Sequence, residues 1–197
     1  NSTQVIRIIT IQDKTPPKIT LTGDASITIE SGIGAYTELG ATAIDACDES
    51  ISVVIGGDSV NSSTIGTYVV TYKAIDGAGN TSQATRTVNV IDTTPPKVLN
   101  TKSNLNPVAI NTSFTVTSTI EDLGSNITHA ECSTDGGVTW KPMNTITEQS
   151  RSVTATAVLS GLGNPEVYTL CVRGKDKAAN MSEPESIYLP VYDPSAG

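Results

Sequence analysis

Apolar and polar residues alternate along this chain in short runs, and glycine, asparagine, aspartate and serine break the runs at regular intervals. In the first half the alternating stretches are Ser26 to Glu30, Ile51 to Ile55, Gly66 to Ile75 and Gln83 to Ile91. Turn signals fall at Gly23 to Asp24, Ser31 to Gly34, Asp45 to Glu49, Gly56 to Asp58, Asn61 to Ser63 and Asp76 to Asn80. A period of two over strand-length runs predicts about seven short strands there, spaced as in a β-sandwich. Gly66 to Ile75 and Gln83 to Ile91, joined by Asp-Gly-Ala-Gly-Asn, read as a long final hairpin, with Tyr68 two residues before Val70 in a corner-like position. The second half repeats this: Val167 to Lys175 and Glu185 to Tyr192 flank Asp-Lys-Ala-Ala-Asn, with Tyr168 and Leu170 in the corresponding places. It adds a hairpin at the Ser-Thr-Asp-Gly-Gly turn before Trp140, which reads as a core or packing residue. The expected class is all-β.

An internal repeat organises these elements. Asn1 to Lys18 aligns without gaps on Asn80 to Lys97, each an alternating stretch followed by Asp, two residues and Pro-Pro-Lys. Asp13, Pro16 and Pro17 thus correspond to Asp92, Pro95 and Pro96, and a fainter copy of the strand-then-Asp ending runs from Asn180 to Asp193. The expected order is residues 1–13 as the last strand of a preceding domain, whole domains at 14–92 and 93–193, and residues 194–197 as the start of a next linker. The chain would then begin partway along an array. Proline fixes φ and restrains the residue before it, so each Pro-Pro junction should hold successive sandwiches end to end rather than let them swing.

Composition narrows the classes. The 29 Thr and 20 Ser suit polar strands, and no segment concentrates helix formers. A net charge of -8 leaves nothing to neutralise phosphates across a surface, so no nucleic-acid partner is expected. No run approaches the roughly 20 apolar residues of a spanning helix, so direct membrane insertion of this segment is not expected. With one histidine, His129, and no His/Cys cluster at zinc spacing, neither a nucleophile–base pair nor a zinc centre is legible, and the chain reads as non-enzymatic.

Residues 14–92 resemble an immunoglobulin-like repeat, named after a pesticidal crystal toxin, that occurs in many bacterial and archaeal surface proteins. Tyr36, Gly40, Ala41, Thr42, Ala43 and Asp45 match its pattern of a Tyr and then an acidic-Pro-Gly-Ala-Thr-Ala-x-Asp run, with Leu39 in place of the usual proline. The second domain, through His129 to Trp140 and Tyr168 to Pro184, resembles a related sandwich of secreted proteases and cell-envelope proteins. The resemblance implies tandem immunoglobulin-like β-sandwiches in an extracellular or cell-surface setting; function stays an analogy.

In such a sandwich the start of the first strand, the loop between the second and third strands and the last hairpin meet at one end. In the first domain that end collects Asp13, then Asp45, Asp48 and Glu49, then Asp76 and Asn80. In the second it collects Asp92, then Glu121 and Asp122, then Asp176 and Asn180. Crowded carboxylates repel unless they are solvated or share a hard cation, and calcium takes six to eight oxygens from such groups. A calcium reading selects Asp13, Asp45, Asp76, Asp92, Glu121 and Asp176 as ligands. The competing reading makes these residues turn caps and surface charge; neither loop has the twelve-residue spacing of an EF-hand.

Cys132 and Cys171 fall on strands that are neighbours in this fold, which allows a cross-strand disulfide; two small, partly buried thiols are the alternative. Cys47 reads as an inert loop thiol. Six Asn-x-Ser/Thr sequons occur, of which Asn1, Asn80 and Asn180 are one repeated hairpin position. Asn61, Asn111 and Asn126 are the more telling glycosylation candidates.

Together these features predict a non-catalytic structural segment of a long cell-surface protein, an S-layer subunit, filament or adhesin stalk. It would act as a stiff spacer, with neighbouring domains of the same protein, or copies of itself in a lattice or filament, as partners. Accessory modules of a secreted hydrolase are one alternative. A carbohydrate- or ligand-binding module is another, and an array of Tyr36, Tyr188 and Tyr192 on one surface would favour it.

Overall fold

Strands carry the whole architecture, and the computed structural model describes residues 4–144 and 150–196. Two compact units result. The first comprises Asn1–Ile29, Ala35–Asn61 and Gly66–Asn89, the second Glu30–Gly34, Ser62–Ile65 and Val90–Gly197.

The first unit is built on β1 (Lys18–Leu21), β2 (Ser26–Glu30), β3 (Ala41–Ile44), β4 (Val53–Gly57), β5 (Gly66–Ile75) and β6 (Thr81–Ile91). β1 pairs antiparallel with β3, and the other four form a sheet in the order β2-β6-β5-β4. The predicted final hairpin is therefore β5–β6, with β5 at the bounds read from the sequence. Alternation turns Val70, Tyr72 and Ala74 of β5 inward, with Arg86, Val88 and Val90 of β6. Tyr72 is fully buried, and Tyr68 is half-buried. Six strands stand among the described residues of this region where about seven were expected. Residues 4–13 join none of them, and Val5, Ile6, Ile8, Ile9 and Ile11 are exposed.

A charged group sits at the centre of this small core. Arg86, with no exposed surface, donates through Nη1 to Glu38 Oε1 (2.7 Å), through Nε to the Asp24 carbonyl (2.9 Å) and through Nη2 to the Thr22 carbonyl. Glu38 also accepts from Tyr72 Oη (2.6 Å), the Gly40 N–H (2.6 Å) and Tyr36 Oη. Burial alone would raise the Glu38 carboxyl, but the Tyr36 and Tyr72 hydroxyls, the Gly40 amide and Arg86 outweigh it and hold it below the usual range. A buried guanidinium is tolerable here because each of its three donating nitrogens has an acceptor.

The second unit stacks a five-stranded sheet on a three-stranded one. β8 (Val108–Ala109), β10 (Ile127–Ser133), β11 (Lys141–Pro142), β13 (Val167–Asp176) and β14 (Glu185–Tyr192) lie in the order β11-β10-β13-β14-β8. β7 (Lys97–Ser103), β9 (Phe114–Glu121) and β12 (Ser152–Leu159) lie in the order β12-β9-β7. Along β9 every second side chain, Phe114, Val116, Ser118 and Ile120, is buried. Phe114, Val116 and Ile120 join Ile127, Cys132, Leu170, Val172 and Leu189 of the other sheet in one apolar cluster, and full burial of each large aliphatic or aromatic group contributes about 1.5–3 kcal/mol.

Three expectations are resolved here. Cys132 pairs with Val172 and Ser133 with Cys171, so the two cysteines are one register step apart and point to opposite faces of the sheet. Both are buried free thiols: Cys132 joins the core, Cys171 Sγ lies 3.3 Å from Ser186 Oγ, and no disulfide links them. Of the two roles expected of Trp140, core or packing, it takes the packing one, half-buried. It follows the expected Ser133-to-Gly137 turn between β10 and β11, and Arg173, held by Glu131 Oε2 through Nη2 at 2.7 Å, lies over its ring at 4.0 Å. Finally, Glu121 ends β9 exposed, beside Ser152, so the strand's alternation aims the next residue, Asp122, inward instead.

Candidate functional site: two acidic joints

Each unit fastens its incoming junction segment by the same device. In the first, the turn after β5 opens with Asp76, whose Oδ1 accepts from the Asn80 N–H (2.7 Å) and whose Oδ2 accepts from Asn80 Nδ2 (2.8 Å). The same Nδ2 reaches the carbonyls of Asp13 and Thr15, both at 3.4 Å, and Asp13 Oδ1 accepts from the Thr15 N–H (2.9 Å). In the second, Asp176 Oδ1 and Oδ2 accept from the Asn180 N–H (2.9 Å) and Nδ2 (2.8 Å). Asn180 Nδ2 reaches the carbonyls of Asp92 (3.2 Å) and Thr94 (3.5 Å), and Asp92 Oδ1 accepts from the Thr94 N–H (3.1 Å). An Asp opening a tight hairpin is ordinary turn chemistry. A hairpin amide that spans to the backbone beside the Pro-Pro step makes it a clasp.

The carboxylates gather around these clasps. Asp13, Asp48 and Asp76 each place an oxygen within 4.8 Å of the others, as do Asp92, Asp122 and Asp176; Asp13 also meets Asp45 and the Cys47 thiol in this way. Of the residues expected as ligands, Asp13, Asp45, Asp76, Asp92 and Asp176 therefore lie in such groups and Glu121 does not. The loop residues that join Asp13 to Asp76, and Asp92 to Asp176, are Asp48 and Asp122. Asp48 reaches this place through the loop before β4, where its Oδ2 accepts from the Gly77 N–H (3.0 Å).

Burial separates the two groups. Asp13 and Asp48 are half-buried, whereas Asp92, Asp122 and Asp176 retain 7%, 6% and 1% exposure. Asp76, 7% exposed, is raised by burial but brought net below the usual aspartate range by the Asn80 side chain and the turn amides. Asp92 goes the other way. Burial is the main cause of its raised carboxyl pKa, the Ser125 side chain and the Thr94 amide only partly oppose it, and the charges of Asp122 and Asp176 add to it.

Other candidates resolve differently. Cys47 is exposed, and the charge of Asp13, then desolvation and Asp45, push its thiol up, the reverse of what a nucleophile needs. His129 lies exposed with Nδ1 3.0 Å from Thr128 Oγ1. Tyr188 and Tyr192 share the outer face of β14, 75% and 47% exposed, while Tyr36 belongs to the first unit and is bonded to Glu38. Asn61 and Asn111 are exposed and Asn126 is half-buried; Asn1 lies outside the described residues.

Residues 19–90 match the family model described as bacterial surface protein, Ig-like domain. No curated protein matches the sequence. Among solved structures, the fibronectin(III)-like modules of Clostridium thermocellum CbhA are similar at 15% identity, over 91% of this chain and 97% of that one, with a TM-score of 0.41. The SrpA adhesin from Streptococcus sanguinis is similar at 18% identity, over 52% of this chain and 57% of its own, with a TM-score of 0.34. The D00-D0 domain of intimin is similar at 15% identity, over 90% of this chain and 78% of its own, with a TM-score of 0.34.

Proposed function

We propose that this chain is a stiff, non-catalytic spacer within a longer extracellular or cell-surface protein of the S-layer, filament or adhesin-stalk kind. One observation carries the reading: the same clasp, Asp76–Asn80 on Asp13–Thr15 and Asp176–Asn180 on Asp92–Thr94, fixes the entering backbone in both units. A segment clasped just before a Pro-Pro step, with β1 or β7 beginning just after it, has few free torsions, and repeating the device suits a chain that must transmit position. The match of residues 19–90 to a surface-protein domain family supports the setting. Neighbouring domains of the same protein are then the first partners, and calcium at the joints adds stiffness.

Spin labels at Val54 and Val158, both exposed and one in each unit, test this on a cysteine-free background. A spacer gives a narrow distance distribution by double electron–electron resonance. A broad distribution that Asn180→Ala leaves unchanged removes the reading.

A further inference from the structure

We infer that Asp92, Asp122 and Asp176 form a binding site for a divalent cation, calcium by its chemistry. The inference rests on the spacer reading for its purpose but not for its geometry.

Hydrogen bonds use only part of the oxygen at this joint. Asp122 Oδ1 accepts from the Gly124 and Ser125 N–H groups, both at 2.6 Å, and Asp92 Oδ1 from Thr94. The second oxygens, Asp92 Oδ2 and Asp122 Oδ2, are buried without any hydrogen-bond partner, and so is the hydroxyl of Ser125, a residue 5% exposed. Buried polar atoms in native proteins are nearly all paired, and an unpaired buried carboxylate oxygen is among the costliest exceptions. Here two such oxygens and a hydroxyl collect at a group of three negative charges. A proton on one carboxyl would relieve part of the repulsion; a doubly charged cation would relieve it and supply the missing partner to both oxygens.

The donor set chooses the ion. Every available atom is oxygen, which disfavours metals that seek thiolate or imidazole. Calcium accepts irregular sets of oxygens at about 2.3–2.6 Å, so two ligands on opposite sides of one ion can lie nearly 5 Å apart, and the three carboxylate oxygens fall within 4.8 Å of one another. Magnesium holds its waters and demands near-octahedral geometry, for which carboxylates this buried leave little room. Gly124 keeps the space open: a Cβ there would meet the Asp92 carboxylate at 2.3–2.8 Å.

Calorimetric titration of the metal-free chain with calcium chloride tests the inference, alongside melting curves with and without the ion. Asp122→Asn retains an acceptor for the Gly124 and Ser125 amides and removes the charge, and Asp48→Asn makes the same change at the other joint. The expected result is saturable calcium binding that Asp122→Asn weakens at least about ten-fold and Asp48→Asn does not. Melting of the second unit should rise by on the order of 10 °C at a hundred-fold excess over Kd, with a smaller response to magnesium. Absence of calcium binding by the unsubstituted chain overturns the site, as does binding that survives Asp122→Asn in a folded variant with an unchanged circular dichroism spectrum. Calcium that binds and raises the melting temperature while the Val54–Val158 distance distribution stays broad upholds the site and removes the spacer reading.

Discussion

The first unit keeps a guanidinium and a carboxylate in its interior and leaves two of its joint carboxylates, Asp13 and Asp48, half-buried. The second fills its interior with aliphatic and aromatic groups and buries its joint. Polar burial has moved from the core of one to the end of the other. In the first, Arg86 is fully satisfied and the joint holds one buried unpaired oxygen, Asp13 Oδ2; in the second, the core is apolar and Asp92 and Asp122 each carry one. What the repeat copies is the backbone clasp. How deeply the charges around it are buried depends on the loop each unit supplies.

The largest effect should come from the first unit's interior. Arg86→Met strands Glu38 and the Thr22 and Asp24 carbonyls, and removing one partner of a buried pair costs about 3–5 kcal/mol. The partial exposure of Glu38 puts the expected loss near the lower figure. Calorimetry should show the first unit's transition falling while the second's stays in place, and the double variant with Glu38→Gln should recover part of the loss because no charge is left alone. Equal shifts in both transitions would mean that the two units do not melt as distinct cores.

Acid should separate them next. The Glu38 carboxyl titrates lower folded than unfolded, so its contribution is fully present above the unfolded value, about 4.3. It is lost as pH falls through the lower, folded value. Melting of the first unit followed from pH 7 downward should decline in that window, and Glu38→Gln should flatten the curve there.

The smallest effect compares the two hairpins directly. Gly79 and Ala179 hold the same place in the clasp at φ +88° and +76°, a region that costs an L-residue roughly 1–2 kcal/mol. Ala179→Gly should therefore stabilise the second unit by roughly 0.5–1 kcal/mol after the added chain entropy of glycine. Gly79→Ala, which meets no neighbouring atom, should destabilise the first by roughly 0.5–1 kcal/mol on the same balance. Urea denaturation resolves both.

Much of this was legible in the sequence because period-two alternation is read directly from side-chain polarity. β5 lies at its predicted bounds, both hairpins close on the expected Asp and Asn, and Asp13, Asp76, Asp92 and Asp176 lie at the joints. The errors share one physical origin, the phase of a strand. Glu121 and Asp122 are adjacent, and only the end of β9 decides which faces inward. Cys132 and Cys171 lie on paired strands but one step out of phase. The Arg86–Glu38 network escapes a reading by motif, although Arg86 is in phase with Val88 and Val90 on β6, and that alternation alone places a cation among inward-facing side chains. Glu38 has a weaker signal, because it lies outside any strand and its role depends on Tyr72, 34 positions away.

The carboxamides of Asn80 and Asn180 each work as a double latch, donating to a carboxylate at 2.8 Å while reaching across to carbonyls of the incoming segment. Asparagine is also the side chain that hydrolyses spontaneously as proteins age. Losing that nitrogen would replace a donor with a second negative group against Asp76 or Asp176 and release the entering backbone in the same event. Chemical wear in such a chain would register first where the backbone enters each unit, before either interior had changed.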